Sequence, residues 1–217
     1  MKKVFLYTSL VLVVLFAGCR ELGVKGSGNV TTETREIDGF NEIEVSGAYN
    51  LEIEVGSKTS CEISAEDNLH RYIVTEVINN RLIIENSHNL SPKRKIKIVL
   101  TTPSLREIES SGISNIYARG IDERNFSLDL SGAGFIELLG KVEQFTADLS
   151  GAGRLEAKEL YARFVDISSS GASNAEIYSS EKLVAEISGV GSIDYYGDPE
   201  DVQTDISGVG SIIKRDY

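Results

Sequence analysis

The 217-residue chain has no tryptophan, three prolines, one methionine, two histidines and two cysteines. Each shortage closes off a class of explanation. Cys19 ends the N-terminal apolar segment, so Cys61 has no partner inside the folded part and no internal disulfide can brace it. The fold must rest on its own apolar core. "SCEIS" alternates like a strand, which makes Cys61 a small buried apolar residue rather than a nucleophile, and no histidine stands near it in sequence. So few histidines and thiols leave no zinc-ligand spacing. The absence of tryptophan removes the usual platform for sugars, although Tyr117, Tyr178, Tyr195 and Tyr196 could form a small aromatic patch. Basic residues are outnumbered, 22 Lys and Arg against 33 Asp and Glu, for a formal charge of −11. A surface this acidic disfavours nucleic acid and anionic lipid headgroups.

What is present begins with "MKKVFLYTSLVLVVLFAGC". Lys2 and Lys3 precede the apolar run Val4–Ala17, in which Thr8 and Ser9 are the clearly polar residues. That run is too short for a membrane-spanning helix, which needs about 20 residues, and it reads as a secretory signal. "LFAGC" resembles a bacterial lipobox. The resemblance implies a signal peptide over residues 1–18, acylation of Cys19, a lipidated tether over 19–27 and one domain over 28–217. More than one acyl chain gives lasting membrane attachment. Loss of Lys2 and Lys3 takes the formal charge from −11 to −13. The expected location is a bacterial cell envelope, on a leaflet the sequence does not specify.

The rest of the chain repeats. A Ser-Gly pair recurs with its glycine at Gly47, Gly112, Gly132, Gly151, Gly171, Gly189 and Gly208. From Gly112 onward the steps are 20, 19, 20, 18 and 19 residues. The step from Gly47 to Gly112 is 65, about three periods without the motif, and Gly26 precedes Gly47 by 21. Apolar residues alternate around each pair, Ile43 and Val45 before Gly47 and Leu51 after it, Leu128 and Leu130 before Gly132 and Ile136 after it. Period-two alternation over short runs marks strands with one buried face. A unit of about 19 residues cannot bury that face alone, whereas stacked coils can. The expectation is an all-β parallel β-helix (β-solenoid) of about 19-residue coils. Glycine at the corner answers either a positive φ or a close backbone approach between coils.

Residues 59–103 depart from the pattern. "EVINNRLIIEN" predicts a hairpin turning at Asn79-Asn80, and Ile96–Leu100 predicts a strand. A hairpin or loop protrusion is expected around residues 66–95, with the remaining segment keeping the coil spacing.

"GSGNVTTETREIDGFNEIEVSGAYNLEIEVG", "ISAEDNLHRYIVTEVINNRLIIE" and the later "LSGAG" repeats together resemble the auto-transporter adhesin head GIN domain family, a domain of unknown function. The resemblance runs from Gly26 to about Ser211. It implies a right-handed parallel β-helix of the kind found on bacterial envelope lipoproteins, and an adhesion-like role without assigned catalytic residues.

Four chemistries bear on this repeat. A phosphate-binding glycine loop fails, because Glu137, Glu156 and Asp194 occupy the third glycine position and no helix follows. A cation ladder along Asp129, Asp148, Glu186 and Asp205 would relieve stacked carboxylates, which about 5 Å apart repel by roughly 1 kcal/mol per pair in water. The competing reading, a solvated and screened face, is favoured. A polysaccharide lyase or hydrolase needs a local, non-repeating constellation, for which Glu66, Asp67, His70 and Arg71 are the candidates against a polar surface turn. No cofactor is implied. A non-catalytic binding module or spacer, with a protein or glycan ligand, is the reading the sequence favours. An open terminal coil at "SIIKRDY" also allows end-to-end association, unless Lys214, Arg215 and Asp216 blunt it.

Overall fold

The computed structural model describes residues 23–216, so the apolar leader and the lipidation candidate Cys19 lie outside the described residues. The first part of the described chain forms short strands. They are β1 (Val24–Lys25), β2 (Val30–Arg35), β3 (Glu42–Val45), β4 (Tyr49–Val55), β5 (Ser60–Glu66), β6 (Ile73–Ile78), β7 (Arg81–Asn86), β8 (Leu90–Ser91), β9 (Ile96–Thr102) and β10 (Glu107–Ser110). Strands that run from one Ser-Gly corner to the next follow: β11 (Ile113–Leu130), β12 (Ala133–Leu149), β13 (Ala152–Ser169) and β14 (Ala172–Ile187). The described chain closes with β15 (Val190–Tyr196), β16 (Asp201–Ile206) and β17 (Val209–Lys214). One 3₁₀ turn, His70–Tyr72, is the helical element among the described residues.

The strands stack as a β-solenoid with two long faces. Before the corner, β7, β3, β10, the second halves of β11 to β14 and then β16 pair in parallel. After the corner, β9, β4, the first halves of β11 to β14, β15 and then β17 do the same. The alternation read from the sequence decides what turns inward. Ile43, Ile108, Leu128, Ala147, Ile167 and Ala185 form one buried column, and Leu51, Ile116, Ile136, Leu155, Ala175 and Ile193 form another. Burying one such isoleucine or leucine contributes about 1.5–3 kcal/mol. Aromatic rings stack in this core as well: Phe126 and Phe145 occupy successive rungs with centroids 6.0 Å apart.

The corner glycines answer a close approach, not a positive φ. At Gly112, Gly132, Gly151, Gly171, Gly189 and Gly208 an added Cβ would fall 1.9–2.1 Å from the carbonyl oxygen of the corner glycine one coil earlier. That oxygen already accepts a hydrogen bond from the residue after the next corner, as in Ala152 N–H to Gly132 O at 2.9 Å. Gly47 differs, with φ +153° and the Tyr49 ring 2.5 Å from its would-be Cβ.

Three expectations change. Gly47 and Gly112 are neighbours in space: Glu107 pairs with Glu42 and Asn115 with Asn50. No coil lies between them. The chain leaves the stack after β4, builds β5, β6 and the β7/β9 coil on the far side of β3/β4, and returns at β10. The entropic cost of closing such an excursion grows slowly with length, so strand pairing overrides chain order. Gly26 is not a corner, because β2 runs antiparallel on β5 and a Cβ at Gly26 would fall on the Glu66 carboxylate. Residues 24–26, assigned by the sequence to a tether, are fastened to the body: β1 pairs with β8, and Gly26 N–H donates to Ser91 O at 3.1 Å. The hairpin forms where expected, with φ of 52° and 67° at Asn79 and Asn80.

Substituting Gly151→Ala forces a Cβ to within 1.9 Å of Gly132 O, so the coils must separate. The expected loss of stability is about 2–3 kcal/mol, read as a lower urea midpoint. Ala152→Gly, at the exposed next residue, serves as the comparison and costs under about 1 kcal/mol.

Candidate functional site

Stacking in register turns every surface position into a column. The residue three before each corner glycine gives Glu44, Glu109, Asp129, Asp148, Ser168, Glu186 and Asp205 in succession. At the N-terminal end of this column one cation the sequence did not single out is shared among four carboxylates, Glu44 and Glu109 of the column and Glu42 and Glu107 beside it. Arg81 reaches Glu42 at 3.1 Å, Glu107 at 3.0 Å, Glu44 at 3.8 Å and also Glu109. Its position in β7, beyond β3, is a product of the chain excursion. Further along, Asp129, Asp148, Glu186 and Asp205 have no ion-pair partner among the described residues. Partial desolvation, then the Asp148 and Glu109 carboxylates, hold Asp129 above the usual carboxylate range. With Ser131, Ser150 and Ser170, Asp129 and Asp148 line a polar groove of about 430 Å³ that extends to Glu109 and Glu44.

The candidate cation ladder is therefore two carboxylate pairs, Asp129–Asp148 and Glu186–Asp205, separated by Ser168. Among the described residues no three His, Cys, Asp or Glu side chains converge as a metal cage. Stacking on a flat sheet face sets carboxylates in a row, whereas a cation needs them around a point.

The second acidic column, after the corner, is built differently. Glu52, Glu137, Glu156, Glu176 and Asp194 belong to it. Lys97 pairs with Glu52 at 2.8 Å, Arg154 with Glu156 at 2.8 Å and Glu176 at 2.6 Å, and Arg215 with Asp194 at 3.0 Å. A hydrogen bond from Lys158 holds Glu176 below the usual range. Lys214, expected to blunt the last coil, pairs with Asp198 at 2.5 Å.

Of Glu66, Asp67, His70 and Arg71, Asp67 and Arg71 are exposed beside the turn at 67–69, as a polar surface turn requires, and the other two are not. Glu66 and His70 are buried. The Glu66 carboxylate accepts from the backbone N–H groups of Gly28 at 2.6 Å and Lys93 at 2.8 Å. Asp67 accepts from Ser27 Oγ at 2.5 Å and Asn29 Nδ2 at 2.9 Å, and these bonds, Ser27 first, hold it below the usual range. His70 Nε2 lies 3.1 Å from Thr31 Oγ1, and Arg71 stacks on the Tyr72 ring at 4.8 Å. The cluster staples the N-terminal segment and the 91–94 loop over the end of the core. The sequence signal for it was the acid–His run, but its partners come from segments about 27 to 40 residues away. Cys61 is buried as expected, and burial, opposed by Arg35, pushes its thiol up to about 11, far from a reactive thiolate.

Comparison with known proteins supports the architecture. A family model described as "Putative auto-transporter adhesin, head GIN domain" matches residues 39–199. A crystal structure of a putative adhesin from Bacteroides fragilis is similar with a TM-score of 0.72 and 24% identity, over 89% of this chain and 100% of that one. A putative lipid binding protein from Parabacteroides distasonis gives 0.53 and 22%, over 88% and 99%. A putative adhesin from Parabacteroides merdae gives 0.51 and 22%, over 88% and 98%. At these identities the likeness is one of fold. No curated protein matches the chain significantly.

Two substitutions separate the roles of these carboxylates. Glu66→Ala strips the acceptor from buried N–H groups, and the expected cost is about 2–3 kcal/mol in a denaturant melt. Asp129→Asn has the opposite sign. A carboxyl that binds its proton more tightly when folded costs stability above its folded pKa and costs nothing once pH falls below its unfolded value. The variant should gain about 0.5 kcal/mol at pH 7, less in high salt, and nothing at pH 3. A gain that persists at pH 3 would assign the effect to packing.

Proposed function

The chain belongs to the putative auto-transporter adhesin, head GIN domain family, and on that footing we propose that it serves as a non-catalytic, adhesin-like binding and spacing module of the bacterial cell envelope, held to a membrane by acyl chains on Cys19. One observation carries the reading. The aperiodic acid–histidine cluster singled out by the sequence, Glu66 to Arg71, is occupied in tying the N-terminal segment to the body, and its Glu66 carboxylate is fully buried. The acids of the two corner columns, Glu44 to Asp205 and Glu52 to Asp194, repeat along successive rungs of two sheet faces. The polysaccharide-cleaving alternative needs two carboxylates on either side of a scissile bond, whereas the Asp129 and Asp148 carboxylates of the polar groove are stacked on adjacent rungs of one sheet face. Two features support the envelope part of the proposal: the lipobox-like "LFAGC" and the fastening of residues 24–26 to the body, which sets the start of the fold a few residues from Cys19.

Cells producing the full chain and fed a labelled fatty acid should carry label on the protein, and Cys19→Ser should lose the label and leave the membrane fraction. The wild-type protein, purified, should leave a panel of acidic and neutral polysaccharides unshortened over a day. Label that survives Cys19→Ser sinks the anchor, and release of reducing ends or unsaturated products sinks the non-catalytic role.

A further inference from the structure

We propose that a hollow on the post-corner face, lined by Glu52, Tyr117, Arg119, Glu137 and Leu139, binds a neutral hexopyranose unit of a surface glycan. The inference rests on the adhesin-like reading above and gives it a ligand class and a place. The hollow measures about 330 Å³, within the range of small-ligand sites.

Tyr117 is the interruption in an otherwise acidic column. From Glu52 to Asp194 the stacked rungs are Glu52, Tyr117, Glu137, Glu156, Glu176 and Asp194. It points away from the core and is 37% exposed, so core packing does not account for it. Phe135, on the adjacent strand, leans against it with ring centroids 5.6 Å apart. The pair is an apolar patch on a polar sheet face, and Tyr117 is the ring of the two that lines the hollow.

The backbone is also irregular here. β11 slips register against β12 between Ala118 and Ile121, where Gly120 adopts φ +78°. β12 slips against β13 between Glu137 and Leu139. Bulges re-aim side chains and are over-represented beside sites. These slips bring a residue from beyond the bend, Leu139, to the same hollow as Tyr117.

The charges select the ligand. Glu156, Glu176 and Asp194 are each matched by a cation, as is Glu52 by Lys97. Glu137 and Arg119 have no ion-pair partner among the described residues, and both face this hollow. With Glu52 held by Lys97, the hollow offers one unpaired anion, Glu137, and one unpaired cation, Arg119, so their formal charges sum to zero on a molecule of charge −11. A charged ligand would leave one of the two without a match. Hydroxyl groups both donate and accept, so a polyol can use the carboxylates as acceptors and the guanidinium as a donor. The C–H face of a pyranose carries small positive charge and suits the negative face of an aromatic ring.

The test uses the wild-type chain from residue 20 onward and four probes: methyl α-D-mannopyranoside, methyl β-D-galactopyranoside, methyl β-D-glucopyranoside and methyl β-D-glucopyranosiduronic acid. Saturation-transfer NMR and amide shift mapping read binding, and an array of neutral polysaccharides distinguishes a polymer segment from a free sugar. At least one neutral glycoside or polymer should bind, with shifts confined to residues 115–119 and 135–139. Tyr117→Ala and Glu137→Gln should each weaken it about tenfold without moving the melting temperature, and Asp205→Asn should leave it unchanged. No binding by any neutral probe, binding that survives Tyr117→Ala, or binding of the glucuronoside alone would overturn the inference. A protein that adheres to cells yet ignores neutral sugars loses this site and keeps the adhesin-like reading. Turnover of a bound glycan removes that reading instead.

Discussion

The carbonyl oxygen of each corner glycine lies where a side chain on the next corner would have to begin. From Gly47 to Gly208 the separation between that oxygen and an added Cβ stays near 2 Å, so one steric condition is applied at every level of the stack. It keeps successive coils at sheet spacing, about 4.8 Å, on both faces at once. Once coils are in register, each residue lies over its counterpart. Isoleucine lies over leucine in the core, serine over serine at the corner, and acid over acid outside.

That last consequence is unfavourable, and the two faces handle it differently. The post-corner column is threaded with Lys97, Arg154, Lys158 and Arg215, so its carboxylates are paired almost rung by rung. The pre-corner column gathers four glutamates onto Arg81 at one end and leaves Asp129 and Asp148 to water and to each other. A regular repeat thus carries an irregular distribution of charge. The acidic pattern breaks at Ser168 in one column and at Tyr117 in the other, and Arg81 gathers carboxylates at the β7 end of the first. The cap at the N-terminal end has a similar logic: buried Glu66 and His70 hold residues 26–31 across that end of the core.

Much of this was legible in the residues. The Ser-Gly spacing, the alternation around it and the Asn79-Asn80 turn are local signals, and each appears in the structure as a corner, a strand or a hairpin. Cys61 read correctly as a core residue for the same reason. The 65-residue gap between Gly47 and Gly112 was misleading, because distance along a chain and distance in a stack are unrelated once a segment can leave and re-enter. Arg81 and the anchoring of residues 24–26 were invisible on the same ground: their partners arrive from elsewhere.

The sequence by itself determined the unit of construction: a coil of about 19 residues, which of its positions face inward, and that its corner requires glycine. Those properties are periodic and local, and sterics and hydrophobicity enforce them at each repeat. Only the tertiary structure decided the order in which coils are stacked, which carboxylates find cations, and where an aromatic ring and an unpaired Glu137–Arg119 set share one hollow. These depend on which rungs become neighbours, and strand pairing sets that across the whole molecule.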